Sequence, residues 1–198
     1  MLTEICYFRP PVLKIKLRLE KCMMQLVNLR SFKQKVRHNR RRFRVFLSKI
    51  EKTPPINLKV ISAQADQHTW QVTDCLSCAN CCKTMTPTFT PEDIKRISTH
   101  LSLTPKAFKT KYLYKDKRDG DWMNVKQPCQ FLNLTDNKCS IYEVRPADCS
   151  GFPHHHKKKM TDYIHVYKQN VEFCPATYKW VEKMMELVKP GAVDRLTS

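Results

Sequence analysis

The sequence predicts a mostly α fold: a small, irregular, metal-stabilised domain with short helices and one hairpin, preceded by an N-terminal basic amphipathic helix. Three observations carry that expectation. Apolar residues between 26 and 50 recur at alternating spacings of three and four, with basic residues between them. Proline-led helix starts recur after residue 90, and the segments between them are too short and irregular for long strands. Eight cysteines fall between residues 75 and 174, a density that an apolar core alone does not require.

The first element is drawn by Leu29, Phe32, Val36, Phe43, Phe46 and Ile50, with Asn39 at the missing step of the stripe. Arg37, Arg40, Arg41, Arg42 and Arg44 lie mostly off that line, so one basic amphipathic helix is expected over about 26–50. Thr53, Pro54 and Pro55 end it. Residues 1–60 hold 16 Lys and Arg against 3 acids, a net of +13, while the rest of the chain nets +5. This divides the chain into a basic arm, 1–60, and a cysteine-cluster domain with a C-terminal helix, 61–198. The apolar stripe suits docking on the cysteine region, with the charges as a solvated face. The same charges suit an anionic partner, nucleic acid or a lipid surface, met through residues 26–50, because clustered cations gain affinity by releasing condensed counterions. No aromatic-rich RNA-binding signature accompanies them. Met23 and Met24 directly precede the helix and offer an alternative start.

Thr90-Pro91-Glu92-Asp93 combines an N-cap, a proline at the first helical position and an acid three residues after the cap, which predicts a helix over 91–100. Thr104-Pro105 repeats the signal for a second helix to about Tyr114 that buries Phe108, Tyr112 and Leu113. Asp119-Gly120 is suited to close a small hairpin. Ala176, Trp180, Met184 and Leu187 or Val188 mark one face of a final helix over 175–188, closed by Pro190 and Gly191.

No run approaches the roughly 18 apolar residues that span a bilayer, and the N-terminus lacks the apolar core of a secretory signal. A soluble, cytoplasmic chain is therefore expected, and in a reducing compartment clustered thiols hold metal or do redox work more often than they form structural disulfides. Glycine occurs only at Gly120, Gly151 and Gly191, which leaves no dinucleotide fingerprint and no P-loop. The sequence also contains no H-E-x-x-H and no G-x-S-x-G.

The cysteines thus carry the chemistry. Cys75, Cys78, Cys81 and Cys82 lie within CLSCANCC, and Cys129, Cys139, Cys149 and Cys174 follow at wider intervals. Eight thiols make two sets of four, and four thiolates complete a tetrahedral zinc site or hold one 4Fe-4S cluster. Two intervening residues form a turn that aims both sulfurs at one ion. Cys81 and Cys82 are neighbours whose side chains should diverge, which points to a split between two sites or to one of them not being a ligand. The split groups Cys75, Cys78 and Cys81 with Cys174, and Cys82 with Cys129, Cys139 and Cys149. Disulfides and a redox dithiol are the competing readings; a vicinal Cys81–Cys82 bridge would be strained, and no thioredoxin-like strand and helix surround the CxxC pairs. Cys6 and Cys22 are expected to be ordinary free thiols. His154, His155 and His156 could supply a nitrogen ligand, but HHHKKK reads first as a solvated basic turn.

CLSCANCC, PCQFL from Pro128 to Leu132 and CSIYEVRPADCSGFP from Cys139 to Pro153, in that order, resemble the YkgJ-like cysteine-cluster family of zinc- or iron-chelating proteins. The resemblance covers about residues 70–175 and implies motif cysteines at Cys75, Cys78, Cys81, Cys82, Cys129, Cys139 and Cys149, with Cys174 as a further member. A related pattern in flagellin lysine methylases implies an alternative, an Fe-S or metal-dependent enzyme of redox or protein-modifying type. The chain nonetheless lacks a methyl-donor loop and is short for a methyltransferase. Phe131, Leu132, Ile141 and Tyr142 are expected to pack around the metal loops, and Pro146 and Pro153 to stiffen their turns. Arg145 should pair with Asp148 or Glu143, or neutralise thiolate charge.

Overall fold

The computed structural model describes residues 27–157 and 159–188. Helix α1, Leu29–Lys52, starts where the Asn28 side chain accepts a hydrogen bond from Ser31 N at 3.0 Å. Its apolar line buries Phe32, Phe43, Leu47 and Ile50. Asn39, the polar step in that line, donates to the Tyr178 hydroxyl at 2.8 Å, so the stripe is continuous in packing although not in hydropathy. Cys6, Cys22, Met23, Met24 and residue 26 lie outside the described residues; Val27 and Asn28, expected inside the helix, precede it.

Helices α2, Leu58–Gln71, α8, Ile164–Phe173, and α9, Pro175–Leu187, complete a first core with α1. Trp180 lies at its centre, fully buried, and its Nε1 donates to the Ser62 carbonyl at 3.1 Å, tying α9 to α2. Phe43 meets Tyr178 with ring centroids 4.7 Å apart, tying α1 to α9. A 3-10 turn, Met160–Tyr163, leads into α8.

A second core forms around a three-stranded antiparallel sheet of order β1-β3-β2. Strand β1 is Thr88–Phe89, β2 Leu113–Lys115 and β3 Trp122–Asn124. The sheet packs with α5, Pro91–His100, and α6, Pro105–Tyr112. Thr90 and Asp93 form the expected reciprocal capping box at the start of α5. Phe108 is fully buried against Phe89 and Phe131. The hairpin between β2 and β3 closes as read: Gly120 N donates to the Asp116 carbonyl at 3.1 Å, and Gly120 takes φ +72°, where a Cβ would be strained.

Three expectations about elements are corrected. Helix α6 stops at Tyr112, because Leu113–Lys115 pair with β3 instead of continuing the helix. Helices α2 and α8 were not foreseen. On α2 the buried line runs through Ile61, Ser62, Ala65, Asp66 and Thr69, so mostly small and polar residues carry the period that hydropathy would have shown; on α8 the buried Ile164, Tyr167 and Val171 do carry an apolar period, interrupted by Asn170 and too short to stand out. The expected hairpin gains a third strand, β1, of two residues.

The cysteine segments lie between the two cores. Short helices α3, Cys75–Cys78, and α4, Asn80–Thr84, join through Ala79 in the left-handed region at φ 45°. Asn80 Nδ2 donates to the Phe173 carbonyl at 2.6 Å, fixing α4 to the first core. Cys129 N donates to the Cys82 carbonyl at 2.8 Å and Asn137 Nδ2 to the Ser77 carbonyl at 3.0 Å, fixing the same segment to loops of the second. Helix α7, Ala147–Gly151, follows a 3-10 turn at Tyr142–Val144 and is held by Asp148, which accepts from Thr88 N at 3.1 Å.

Candidate metal centre

Each cysteine is positioned by a different device. Asp74 caps α3 by accepting from Leu76 N at 3.0 Å, and the reversal at Ala79 turns the second half of CLSCANCC back beside the first. Cys129 accepts a hydrogen bond from Asn124 Nδ2 at 3.2 Å; Asn124 is itself held by Gln130 Nε2 at 2.8 Å. Cys139 lies in an isolated antiparallel bridge with Leu132. Cys149 rides on α7, whose Ala147 N donates to the buried Asp93 carboxylate at 3.1 Å. Cys174 stands before α9 and accepts from Thr177 N at 3.4 Å.

Cys75, Cys81, Cys82, Cys129, Cys139 and Cys149 line one cavity of about 320 Å³, walled on its apolar side by Phe89, Phe131 and Ile141. Cys78 and Cys174 are buried and do not line it. All eight are free thiols. Among the described residues, no three His, Cys, Asp or Glu side chains are drawn together closely enough to hold an ion as they stand. The sulfurs of Cys81 and Cys82 approach to 3.9 Å, so the expected divergence of these neighbours is corrected. They are consecutive residues of α4, and a hydrogen bond between the two thiols accounts for the contact.

The electrostatics explain why the donor set fits a cation. Burial pushes the Cys75 thiol up to about 11, and the charges of Cys174, Cys78 and Cys82 add to it. Burial also pushes Cys149 far up, followed by the charges of Cys82, Asp148, Cys129 and Cys139. Cys129, Cys139, Cys78 and Cys174 are raised by burial in the same way. Cys82 alone is held low, at about 7, because Cys81 donates its hydrogen bond to it, and Cys81 is raised correspondingly. The charges acting on Cys75 and those acting on Cys149 come from two different groups of thiols, and Cys82 acts on both. Several thiolates can coexist here only with a positive ion among them, which is the chemistry of a soft-metal site.

The histidine turn is corrected. His156 is exposed, but His155 is buried, stacked on Trp180 with centroids 4.2 Å apart. Its Nδ1 lies 2.8 Å from Asp66 Oδ1 and its Nε2 3.3 Å from Thr177 Oγ1. With Nδ1–H donated to the carboxylate, Nε2 accepts the Thr177 hydroxyl proton. His154 is mostly buried against Asp148, Nε2 to Oδ1 at 3.1 Å. The run HHHKKK reads as solvated because Asp66, 89 residues before His155, gives no sign in the sequence that it will meet the histidines. Arg145 pairs with neither Asp148 nor Glu143: it donates to the Tyr142 carbonyl at 2.7 Å and lies 3.9 Å over the Tyr142 ring. Tyr142 is part exposed and lies outside the second core, but it lines the thiol cavity with Phe131 and Ile141, as expected of a residue packed around the metal loops.

Residues that sequence reasoning missed are mostly supports. Asn124 and Thr177 donate to cysteines five and three residues away, Asn80 ties CLSCANCC to the distant Phe173 carbonyl, and Asp66 holds the histidine turn. Only Asp93 left a signal, its capping box, and that signal did not extend to its second bond with Ala147.

Residues 74–175 match the model of the CxxCxxCC family, described as a "Putative zinc- or iron-chelating domain". An 81-residue segment is 31% identical to an uncharacterised protein, MJ0661, of Methanocaldococcus jannaschii. The match covers 40% of this chain and 43% of that relative, so the chain spans less than half the length of the curated relative it matches. No solved structure matches. With a family model spanning the whole cysteine constellation, and with six of its thiols on one cavity, the chain belongs to the CxxCxxCC family of metal-chelating domains.

Proposed function

We propose that the eight cysteines bind zinc or iron between the two cores and that the metal organises the fold. The observation that carries this reading is the common cavity, to which both flanking segments contribute thiols. The charges of Cys78 and Cys174 reach Cys75, and those of Cys129 and Cys139 reach Cys149, which supports a division into Cys75, Cys78, Cys81 and Cys174 on one side and Cys82, Cys129, Cys139 and Cys149 on the other, with the touching pair Cys81 and Cys82 at the boundary. Four thiolates per set suit tetrahedral Zn(II), or a 4Fe-4S cluster if iron is the metal. Asn124 and Thr177 orient the sulfurs of Cys129 and Cys174 by donating to them, as outer groups do around metal ligands. A structural zinc contributes about 10–16 kcal/mol near neutral pH in zinc-finger peptides, enough to hold together segments as short as α3, α4 and α7. A reducing compartment, the cytoplasm, keeps eight thiols available for this role.

Elemental analysis and an optical spectrum of untagged protein purified without oxygen test the proposal. About two zinc per chain without visible absorbance supports a structural chelator. Iron with acid-labile sulfide and a broad visible band supports Fe-S chemistry. Absence of stoichiometric metal overturns the reading. Cys78→Ser and Cys139→Ser, one from each set, should each lower metal content and solubility together.

A further inference from the structure

The chemistry of α1 is not used by the metal centre. The helix carries ten Lys and Arg against one acid, Glu51. Among the described residues, Arg40 and Arg44 share Glu172 on α8, at 2.9 and 3.0 Å, and these are the ion pairs that α1's bases make. Glu51 is engaged by Lys168. Opposite the buried Phe43–Ile50 line, at 100° per residue, run Arg30, Arg37, Arg41 and Lys52, all exposed. Beside them a shallow recess of about 650 Å³ is lined by Arg40, Arg41, Arg44, Lys49 and Lys52.

We infer that this outward face of α1 is a docking surface for the phosphate backbone of nucleic acid. A basic amphipathic helix on a membrane needs a free apolar face to insert. Here that face is spent on the first core, and Val45 is the one apolar residue of α1 left strongly exposed. What remains outward is an array of cations, rich in arginine, whose planar fork matches phosphate oxygens. Its 24 residues span about 36 Å, close to the roughly 34 Å of one duplex turn, so bases along the helix can follow successive phosphates. The face presents no aromatic platform, and its charged side chains are Lys and Arg suited to phosphate, so recognition is of the backbone and independent of base sequence.

The test uses the metal-loaded full chain and a fluorescent random-sequence duplex of about 20 base pairs, followed by anisotropy between about 50 and 200 mM salt. Four outward bases neutralising four phosphates give a slope of log K against log salt of about −3.6. The variant Arg37→Glu/Arg41→Glu should flatten that slope by about 2 and weaken binding at least tenfold, with metal content and the circular dichroism spectrum unchanged. The control Lys95→Glu/Lys117→Glu reverses two exposed charges, one on α5 and one in the β2–β3 hairpin, and should leave binding intact. The inference is overturned if Arg37→Glu/Arg41→Glu binds as the parent does, or if the control loses as much, which would mean diffuse attraction by the net charge. Binding to vesicles containing anionic lipid without binding to the duplex would overturn it in favour of a membrane.

Discussion

Replacing His155 with alanine removes two things at once. It strips the buried Asp66 carboxylate of its hydrogen bond at 2.8 Å, and it removes the ring stacked on Trp180 at 4.2 Å. A hydrogen bond to a charged group contributes about 1.5–3 kcal/mol, and an aromatic stack about 0.5–1.5 kcal/mol beyond its area. Asp66 keeps its bond from Trp70 Nε1 at 2.9 Å and its contact with exposed His156, so the loss should stay near 2–4 kcal/mol. Urea unfolding of the metal-loaded protein should show this as a lower midpoint at unchanged slope. Asp66→Ala/His155→Ala should cost less than the sum of its parts by at least about 1 kcal/mol, since neither variant then leaves an unpaired charge. The pH dependence has a definite sign. Burial holds His155 below its ordinary 6.5, outweighing Asp66. Burial alone would raise Asp66, but the bond and charge from His155 hold it below its ordinary 3.8. Above pH 6.5 both folded and unfolded chains carry a neutral His155 and stability is full; below it the unfolded chain takes up a proton that the folded chain refuses, so stability falls. The Asp66 contribution is lost at lower pH still, as its carboxylate becomes protonated. His155→Ala should flatten the decline that begins near 6.5. A loss under 1 kcal/mol, or an unchanged pH profile, would refute the account of this pair.

Phe43→Ala empties a fully buried position between α1 and Tyr178 and should cost about 3–5 kcal/mol, with α1 becoming the first site of limited proteolysis. Asp93→Ala removes the acceptor shared by Thr90 N, Arg96 and Ala147 N; thermal melts should show a loss of about 2–3 kcal/mol, and metal content should fall because α7 and Cys149 are released. Metal removal by a strong chelator under reducing conditions should uncouple the two cores, so that a single unfolding transition becomes two when followed by circular dichroism.

The sequence made legible what a local rule governs. The capping box at Thr90, the second proline-led start at Thr104, the hairpin at Gly120 and the stripe of α1 each depend on residues within a few positions of one another. The eight cysteines were equally plain, because their spacing is itself the signal. Helix α2 escaped because Ser62, Ala65, Asp66 and Thr69 face the core without adding hydropathy, whereas α8 has an apolar line, Ile164, Tyr167 and Val171, that is only two turns long. His155 escaped because its burial is decided by Asp66 and Trp180, far away along the chain. Tyr142 was read as packing around the metal loops, and it lines the thiol cavity with Phe131 and Ile141 while its ring stays part exposed under the Arg145 guanidinium.

The chain's three tryptophans divide the molecule among themselves. Trp180 is sealed in the first core on the helix that Cys174 begins, and Trp122 belongs to β3 beside the second core. Trp70 lines the thiol cavity and donates to Asp66. Variants that retain one indole apiece would therefore give three separate fluorescence channels: one on each core and one on the cavity between them. Titrating metal into such a set would time the capture event against the tightening of either side, with no dye attached.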